Sequence, residues 1–494
     1  MNQVFDDFVS KKSTPLKRLN SKTNKYFTAV NLLWGDGVKI LDANEDSEGR
    51  IKVRSRNKIG WVSKAALGGK SLLEIYFIDV GQGDGILIKT PSFKHIMIDG
   101  GNPRKYQDTK KNAADFVDWK FYKDYGLDTI ELDAMIASHC DMDHYGGLSD
   151  LLDVTQIEEL DAKSITIESF YHAGLSHWLK NGKASLGSYI DNATESYWTQ
   201  LLEDRPHALN ATKSGNNDVL KDPWKGLISS VIDSKTKAGS QTEIKRLSNK
   251  NGYLPSFEKN TKTDPAIKIL GPVEFDINGS PSLRRFDKGD KSQNTNGVSL
   301  LLRVDFGKVR ILLTGDLNKL SQKALLDDYN GNESEFACDV CKACHHGSDD
   351  ISYEFLQAIN AGATIISSGD NENYDHPRPS VIAASATTGY LQFDSKQDLV
   401  TPLVYSTELA RSIKLGSLTK IELKQNGGQT IENNELSNAT YFIDSKDKVN
   451  YKPKVVKNLI YGLVNVRTDG KKILCATLDE KSSNWKIKEF NSRF

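Results

Sequence analysis

Residues 1 to about 25 are polar and lysine-rich (Lys11, Lys12, Lys17, Lys22, Lys25) and show no sustained apolar period, which predicts a flexible lead-in. From residue 26 to residue 70 short alternating runs (YFTAVNLLW, GVKILDA, RIKVRSR, GWVSKAAL) are separated by turn clusters at Gly35-Asp36-Gly37 and at residues 44–49. That pattern predicts a small antiparallel barrel. After Gly68-Gly69 the texture changes to strongly apolar strands broken by glycine: EIYFIDVGQGDGILIKT, KHIMIDGG and IELDAMIASHCDMDHYGGL. Strands that run into Asp- and His-rich loops predict an α/β domain over residues 71–398 whose strand ends carry chemistry. Within it, residues 155–265 read as an irregular insertion, and the polar, net-basic stretch from Ser234 to Thr263 reads as a mobile loop. Residues 399–494 read as a β-rich C-terminal extension packed on the larger domain, with a hairpin turn at Thr468-Asp469-Gly470.

Composition narrows the classes of function. Lysine plus arginine number 65 and aspartate plus glutamate also 65, so no global basic field exists, and any nucleic-acid contact must be a local groove. With 38% apolar and 26% charged residues the chain reads as an ordinary soluble protein. No apolar run approaches the roughly 18–20 residues of a membrane helix. The start, MNQVFDDFVSKKSTPLKR, lacks the basic and then apolar order of a signal peptide, so a cytoplasmic location and no membrane partner are expected. Five cysteines, three of them in Cys338-x-x-Cys341-x-x-Cys344, suit a reducing compartment. A metal cluster would need a fourth ligand, so buried free thiols are expected.

The sharpest chemical feature is Ser138-His139-Cys140-Asp141-Met142-Asp143-His144-Tyr145-Gly146-Gly147, directly after the apolar run AMIAS. Two imidazoles and two carboxylates crowd into one turn. Their mutual repulsion is offset only by a cation, or by two. Leu312-Leu313-Thr314-Gly315-Asp316 then delivers a single carboxylate suited to bridging two ions. Cys344-His345-His346-Gly347-Ser348 and Asn373-Tyr374-Asp375-His376-Pro377 follow, so that five of the nine histidines lie in these motifs.

Taken together, FIDVGQGDGILI, MIDGG, SHCDMDHYGG, LLTGD, ACHHGS and NENYDHPRPSVI resemble the metallo-β-lactamase fold hydrolases, and within them the soluble relatives of the ComEC-type metallo-hydrolase domain. The closing Gly60-Trp61-Val62 of the small barrel resembles a bacterial SH3-like domain. The first resemblance implies an αββα sandwich and two divalent ions. It implies that His139 and Asp141 bind one ion, Asp143 and His144 the other, and that Asp316 bridges them. One of His345 or His346 would complete the second ion's shell, and strand alternation does not say which. Asp99 would steady a ligand histidine, with Asp79 and Asp84 serving similarly. Asp141 stands where many members carry histidine, so manganese competes with zinc. The separate histidine that many members place before the bridging aspartate has His172 as its only candidate.

Two carboxylate-bridged ions can hold a hydroxide as nucleophile near neutral pH, with Asp143 and His376 in the catalytic set. His376 would hydrogen-bond a phosphate or protonate a leaving group, and Arg378 would contact a phosphate. The expected function is therefore a dinuclear phosphodiesterase, foremost a nuclease. Hydrolysis of a small phosphodiester, such as a cyclic nucleotide or a phosphocholine ester, is the alternative. So is a subunit of a larger defence assembly. The SH3-like unit would bind another protein.

Overall fold

Two β-sheets face each other across the main core. The first has nine strands in the spatial order Glu243–Arg246, Ser169–His172, Ala134–Ala137, His95–Ile98, Ile86–Lys89, Leu73–Ile78, Leu463–Thr468, Lys472–Leu478, Trp485–Asn491. The second has six: Ala266–Gly271, Leu301–Phe306, Val309–Leu313, Val340–Lys342, Ala363–Ile366, Leu403–Ser406. Alternation along Leu73–Ile78 sends Leu73, Ile75 and Phe77 into the space between the sheets, where they meet Leu302, Val304 and Ile311. On the outer face of the first sheet, Tyr76 packs on Phe116 of the helix Ala113–Asp118 with ring centroids 5.5 Å apart. On the outer face of the second, Leu301, Leu312 and Cys341 meet Leu325, Phe355 and Ile359 of the helices Lys319–Asp328 and Tyr353–Ile359.

This computed structural model describes residues 4–107, 109–153, 160–192, 195–213, 215–216, 218–369, 375–408, 412–417, 420–423, 429–432, 435, 441–442, 449–450, 454–460, 462–478 and 484–494. Met1–Ala410 with Gly462–Phe494 make one unit and Arg411–Tyr461 another. The second unit contains the antiparallel pairs Ser412–Ser417 with Lys454–Ile460 and Lys420–Leu423 with Gln429–Glu432. Among the described residues, no helix is long and apolar enough to cross a membrane.

Several expected boundaries are corrected. Where the sequence predicts a loose lead-in over 1–25, the described residues from 4 on are not loose: Ser13–Asn20 pairs along its length with Lys25–Leu33, and Asp7–Phe8 pairs with Gly37 and Val38. The N-terminal unit is thus a six-stranded antiparallel sheet around Val9, Leu16, Leu32, Val38, Ile51, Val53 and Val62. It is also joined to the two-sheet domain. Leu33 packs on Leu474 and Ala476, and the buried Arg467 guanidinium reaches Asp36 at 2.7 Å and the Trp34 carbonyl at 2.6 Å.

The stretch from 234 to 263 is ordered, since Glu243–Arg246 forms the parallel edge strand beside Ser169–His172 and Leu247, Leu254 and Phe257 are buried in the main core. Residues 155–265 therefore supply two strands of the first sheet rather than an insertion beside it. Residues 399–494 are not one extension either. Leu403–Ser406 belongs to the second sheet, and the last three strands continue the first, with Leu463–Thr468 antiparallel to Leu73–Ile78. The hairpin at Thr468-Asp469-Gly470 forms as expected, Gly470 taking a φ of 90°.

Candidate metal centre

The strand Ala134–Ala137 ends at Ser138-His139, and the chain enters the helix Met142–Leu152 with Asp141 at its N-cap position. Asp143 and His144 therefore sit in the first turn. This helix lies against the Asp99-Gly100-Gly101 turn so closely that a Cβ at Gly147 would stand 2.0 Å from the Gly100 carbonyl oxygen. The approach is what brings Asp99 to His144. Asp99 itself adopts a left-handed backbone (φ 55°), an uncommon conformation for a non-glycine residue that the surrounding contacts hold in place. Its carboxylate accepts from the Ser138 amide (2.8 Å) and hydroxyl (2.6 Å), and Oδ2 lies 2.8 Å from His144 Nδ1.

With Nδ1 so held, His144 Nε2 faces Asp316 Oδ2 at 3.1 Å and His346 Nε2 at 3.3 Å. His346 Nε2 lies 2.8 Å from the same Asp316 oxygen and 3.9 Å from Asp143 Oδ2. Behind His346, Nδ1 is 3.2 Å from the Ser367 carbonyl and 3.4 Å from Asp84 Oδ1, an arrangement parallel to Asp99 behind His144. Asp84, His144, Asp316 and His346 each offer a ligand atom within 4.8 Å of the others, and all four are buried.

A second group adjoins the first. Asp141 accepts from Thr295 Oγ1 (2.7 Å) and stands 3.4 Å from His177 Nε2 and 3.7 Å from His139 Nε2. Cys140, Asp141 and His177 also have ligand atoms within 4.8 Å of one another. His139 Nε2 is buried and makes no hydrogen bond, while its Nδ1 is flanked by Ser138 Oγ (3.1 Å) and Ser299 Oγ (3.2 Å). Ser299 in turn accepts from the Asp316 amide (3.0 Å), tying the two groups together. An unpartnered buried imidazole nitrogen beside converging carboxylates and imidazoles is a donor set that fits divalent cations.

The electrostatics follow from burying so many charges. Burial opposes ionisation of Asp316, yet His144, His346 and Lys342 hold its carboxyl well below the usual range. Burial likewise disfavours the charged imidazoles, yet Asp316 and Asp99 hold His144 well above its ordinary value, and Asp316 and Asp84 raise His346 to about 9. His139 and His345 are lowered, chiefly by burial. His177 is raised to about 10 by the neighbouring Cys140, against burial and with help from Asp141. His376 is lowered to about 4 by burial and then by His346 and His345.

The two histidines of the HHG motif part company because they are not on a strand. Val340–Lys342 ends before them, and His345 (φ 45°) and His346 (φ 52°) are both left-handed. His346 turns into the buried group. His345 faces the cleft, its Nε2 3.4 Å from Asn296 Nδ2 and its ring 6.0 Å from that of His376. Asp79 accepts from the Gly81 amide (3.0 Å) and so shapes its own loop. Asp375, His376 and Arg378 are described, Arg378 lying 3.7 Å from Asp375, whereas Asn373 and Tyr374 lie outside the described residues. Asp141, Asp143, Asp316, His345, His376 and Arg378 line one open cleft of about 760 Å³.

Two residues of the centre escape the sequence reading. His177, not His172, is the additional histidine beside Asp141; His172 accepts from the Gly174 amide (3.1 Å) and packs near Trp224. Lys342 is fully buried, pairs with Asp84, donates to the Gly315 carbonyl (2.7 Å) and lies 3.4 Å from Asp316 Oδ1. A lysine closing the run Val340-Cys341-Lys342 was its one signal. All five cysteines are buried and free, and Cys338, Cys341 and Cys344 belong to the apolar cluster outside the second sheet.

Residues 78–204 match the profile of the metallo-beta-lactamase superfamily. ComE operon protein 3 of Bacillus subtilis (strain 168) is 34% identical over 88 residues, 18% of this chain and 11% of that protein. Competence protein ComA of Neisseria gonorrhoeae is 36% identical over 92 residues, 18% of this chain and 13% of that protein. The chain thus spans little more than a tenth of the length of these relatives. Among solved structures, a diphosphatase from the PhnP family aligns over 60% of this chain and 86% of its own, at 10% identity and a TM-score of 0.26. The matched residues 78–204 supply the strands Ile86–Lys89, His95–Ile98, Ala134–Ala137 and Ser169–His172 of the first sheet and the His139–His144 turn.

Proposed function

We propose that the chain is a dinuclear metal-dependent phosphodiesterase whose substrate is nucleic acid. The observation that carries this reading is the shared Asp316 oxygen, 3.1 Å from His144 Nε2 and 2.8 Å from His346 Nε2, with Asp316, Asp141 and His177 lining one cleft and His139 3.7 Å from Asp141. His139, Asp141 and His177 would hold one ion, Asp143, His144 and His346 the other, with Asp316 between them. His345 is left free to face substrate. When bound, two divalent ions supply Lewis acidity toward a phosphoryl oxygen and an activated water. The oxygen-rich set suits manganese as well as zinc.

The chain's own residues do the rest. Asp99 and Asp84 fix the tautomer and direction of His144 and His346. Lys342 balances the carboxylate charge from the protein side. His376, lowered to about 4, is neutral at physiological pH and serves as a hydrogen-bond donor to the phosphate rather than as a strong acid. Arg378 at the cleft mouth contacts a non-bridging oxygen. A cleft of about 760 Å³ admits a phosphodiester with a nucleotide on each side. The likeness to two proteins named for competence supports nucleic acid over other phosphodiesters.

The N-terminal unit is read as an SH3-like module that recruits. The test is a cleavage screen of the metal-loaded chain over single- and double-stranded DNA and RNA, cyclic dinucleotides and an activated nitrophenyl diester. Cleavage of a nucleic acid is expected. Hydrolysis of the nitrophenyl diester with every nucleic acid left intact would remove the nuclease reading and keep the phosphodiesterase.

A further inference from the structure

We propose that the N-terminal β unit carries a binding face for single-stranded nucleic acid, centred on the cross-strand row Lys17, Trp61, Lys52. Trp61 is paired on one side with Lys17 and on the other with Lys52, so three adjacent strands place cation, indole and cation in one line. Tyr26 stands edge-on to Trp61 with centroids 5.6 Å apart, and Lys52 Nζ is 5.7 Å from the indole ring. Neighbouring strands lie about 4.8 Å apart, so the two ammonium groups can flank one stacked base and meet the phosphates on either side of it.

Charge along the chain points the same way. Between Lys11 and Gly35 there are six cations (Lys11, Lys12, Lys17, Arg18, Lys22, Lys25) and no acidic residue, in a protein whose total charge is zero. Lys12 pairs with Glu489. Lys17, Arg18, Lys22, Lys25 and Lys52 have no recorded ion pair among the described residues. In the nearby acidic loop Asp46 and Glu48 share Arg50 (2.7 and 2.8 Å) and Glu45 pairs with Lys64 (2.8 Å), so one net negative charge is left there, and Asp42 is the cross-strand neighbour of Lys52. The hairpin of Ser13–Asn20 and Lys25–Leu33 runs past the core of the unit, and its tip exposes Leu19 (40%) and Tyr26 (36%) on the side of Lys17 and Trp61, with Phe27 (47%) and Arg18 on the opposite side. Asn20 Oδ1 accepts from the Lys22 amide (2.9 Å) and fixes that tip.

Cations interleaved with accessible rings match a strand whose base faces are free to stack. A duplex keeps those faces inside its own stack, and an anionic membrane, which would also take up an indole beside cations, is set apart by the vesicle measurement below. The inference does not rest on the phosphodiesterase reading, because binding and cleavage are measured separately.

The experiment is fluorescence anisotropy of a labelled oligothymidylate of about 20 nucleotides against the full-length chain, with the oligonucleotide checked for cleavage on a gel. Four proteins are compared: wild type, Trp61→Ala, the double variant Lys17→Glu/Lys52→Glu, and Asp143→Asn. Trp61→Ala should weaken binding about tenfold. The lysine variant should weaken it at least as much and reduce the slope of log affinity against log salt by about 1.4. Asp143→Asn should bind as wild type does even if cleavage is lost. A circular-dichroism spectrum and a melting temperature equal to wild type show that the first two variants are folded, and should one of them not fold, the other decides. Wild-type affinity in both barrel variants, equal affinity for duplex DNA, or binding to phosphatidylglycerol vesicles but not to the oligonucleotide would each overturn the inference.

Discussion

Oδ2 of Asp99 lies 2.8 Å from Nδ1 of His144, and that contact fixes which nitrogen of the imidazole faces Asp316. Asp99→Asn keeps the shape and removes the charge. The variant should stay folded and lose about 10–100-fold in metal affinity, the usual effect of removing a carboxylate that orients a ligand histidine. Competition against a chromophoric chelator measures it. Unchanged affinity would mean that the turn geometry alone positions His144.

Lys342 is a buried cation between Asp84 and Asp316. Replacing it by methionine leaves those carboxylates short of a partner, and breaking a buried pair in this way costs about 3–5 kcal/mol. Denaturant unfolding of the metal-free protein should show a loss of that order, partly recovered when manganese or zinc is added.

The joint between the N-terminal unit and the two-sheet domain makes stability depend on pH. Burial raises the carboxyls of Asp36 and Glu74, but the surrounding cations together outweigh it, Arg467 and Arg56 for Asp36 and Arg467, Lys89 and Lys120 for Glu74, and both are held below their ordinary values. Groups depressed on folding stabilise the protein above the unfolded carboxylate pKa of about 4, and that stability is lost as pH falls through the lower folded value. Asp36→Asn should therefore cost about 3 kcal/mol at pH 7, with the deficit against wild type shrinking below about pH 4. A constant deficit from pH 7 to pH 3 would place the loss in packing instead.

His376 is neutral at pH 7, so its contribution should not depend on the leaving group. His376→Ala should slow an activated nitrophenyl diester and a dinucleotide alike, by about 10²-fold, as for loss of one donor to a developing oxyanion. His376→Gln should recover part of that rate. Sparing of the nitrophenyl substrate would instead assign His376 the role of general acid.

How much of this was legible varies with the range of the signal. His139, Asp141, Asp143 and His144 fall within six residues at one strand end, so their chemistry is written locally. His177 reaches Asp141 from a segment with no strong period, and its partner lies 36 residues away. Choosing between His345 and His346 needed the left-handed backbone at both, which strand alternation does not foresee. Ser13–Asn20 read as loose because only Thr14 and Leu16 of its eight residues are buried. The antiparallel pairing of Leu73 with Thr468 joins residues nearly 400 positions apart, and no local pattern announces it.

The most direct test of the central claim is the metal content of the purified chain, measured by inductively coupled plasma mass spectrometry together with phosphodiester hydrolysis, for wild type and Asp143→Ala. Two ions per chain in wild type, fewer in the variant, and hydrolysis lost with the metal while the fold is kept are the predicted results. Full hydrolysis by metal-stripped wild type, or by Asp143→Ala, would contradict the account.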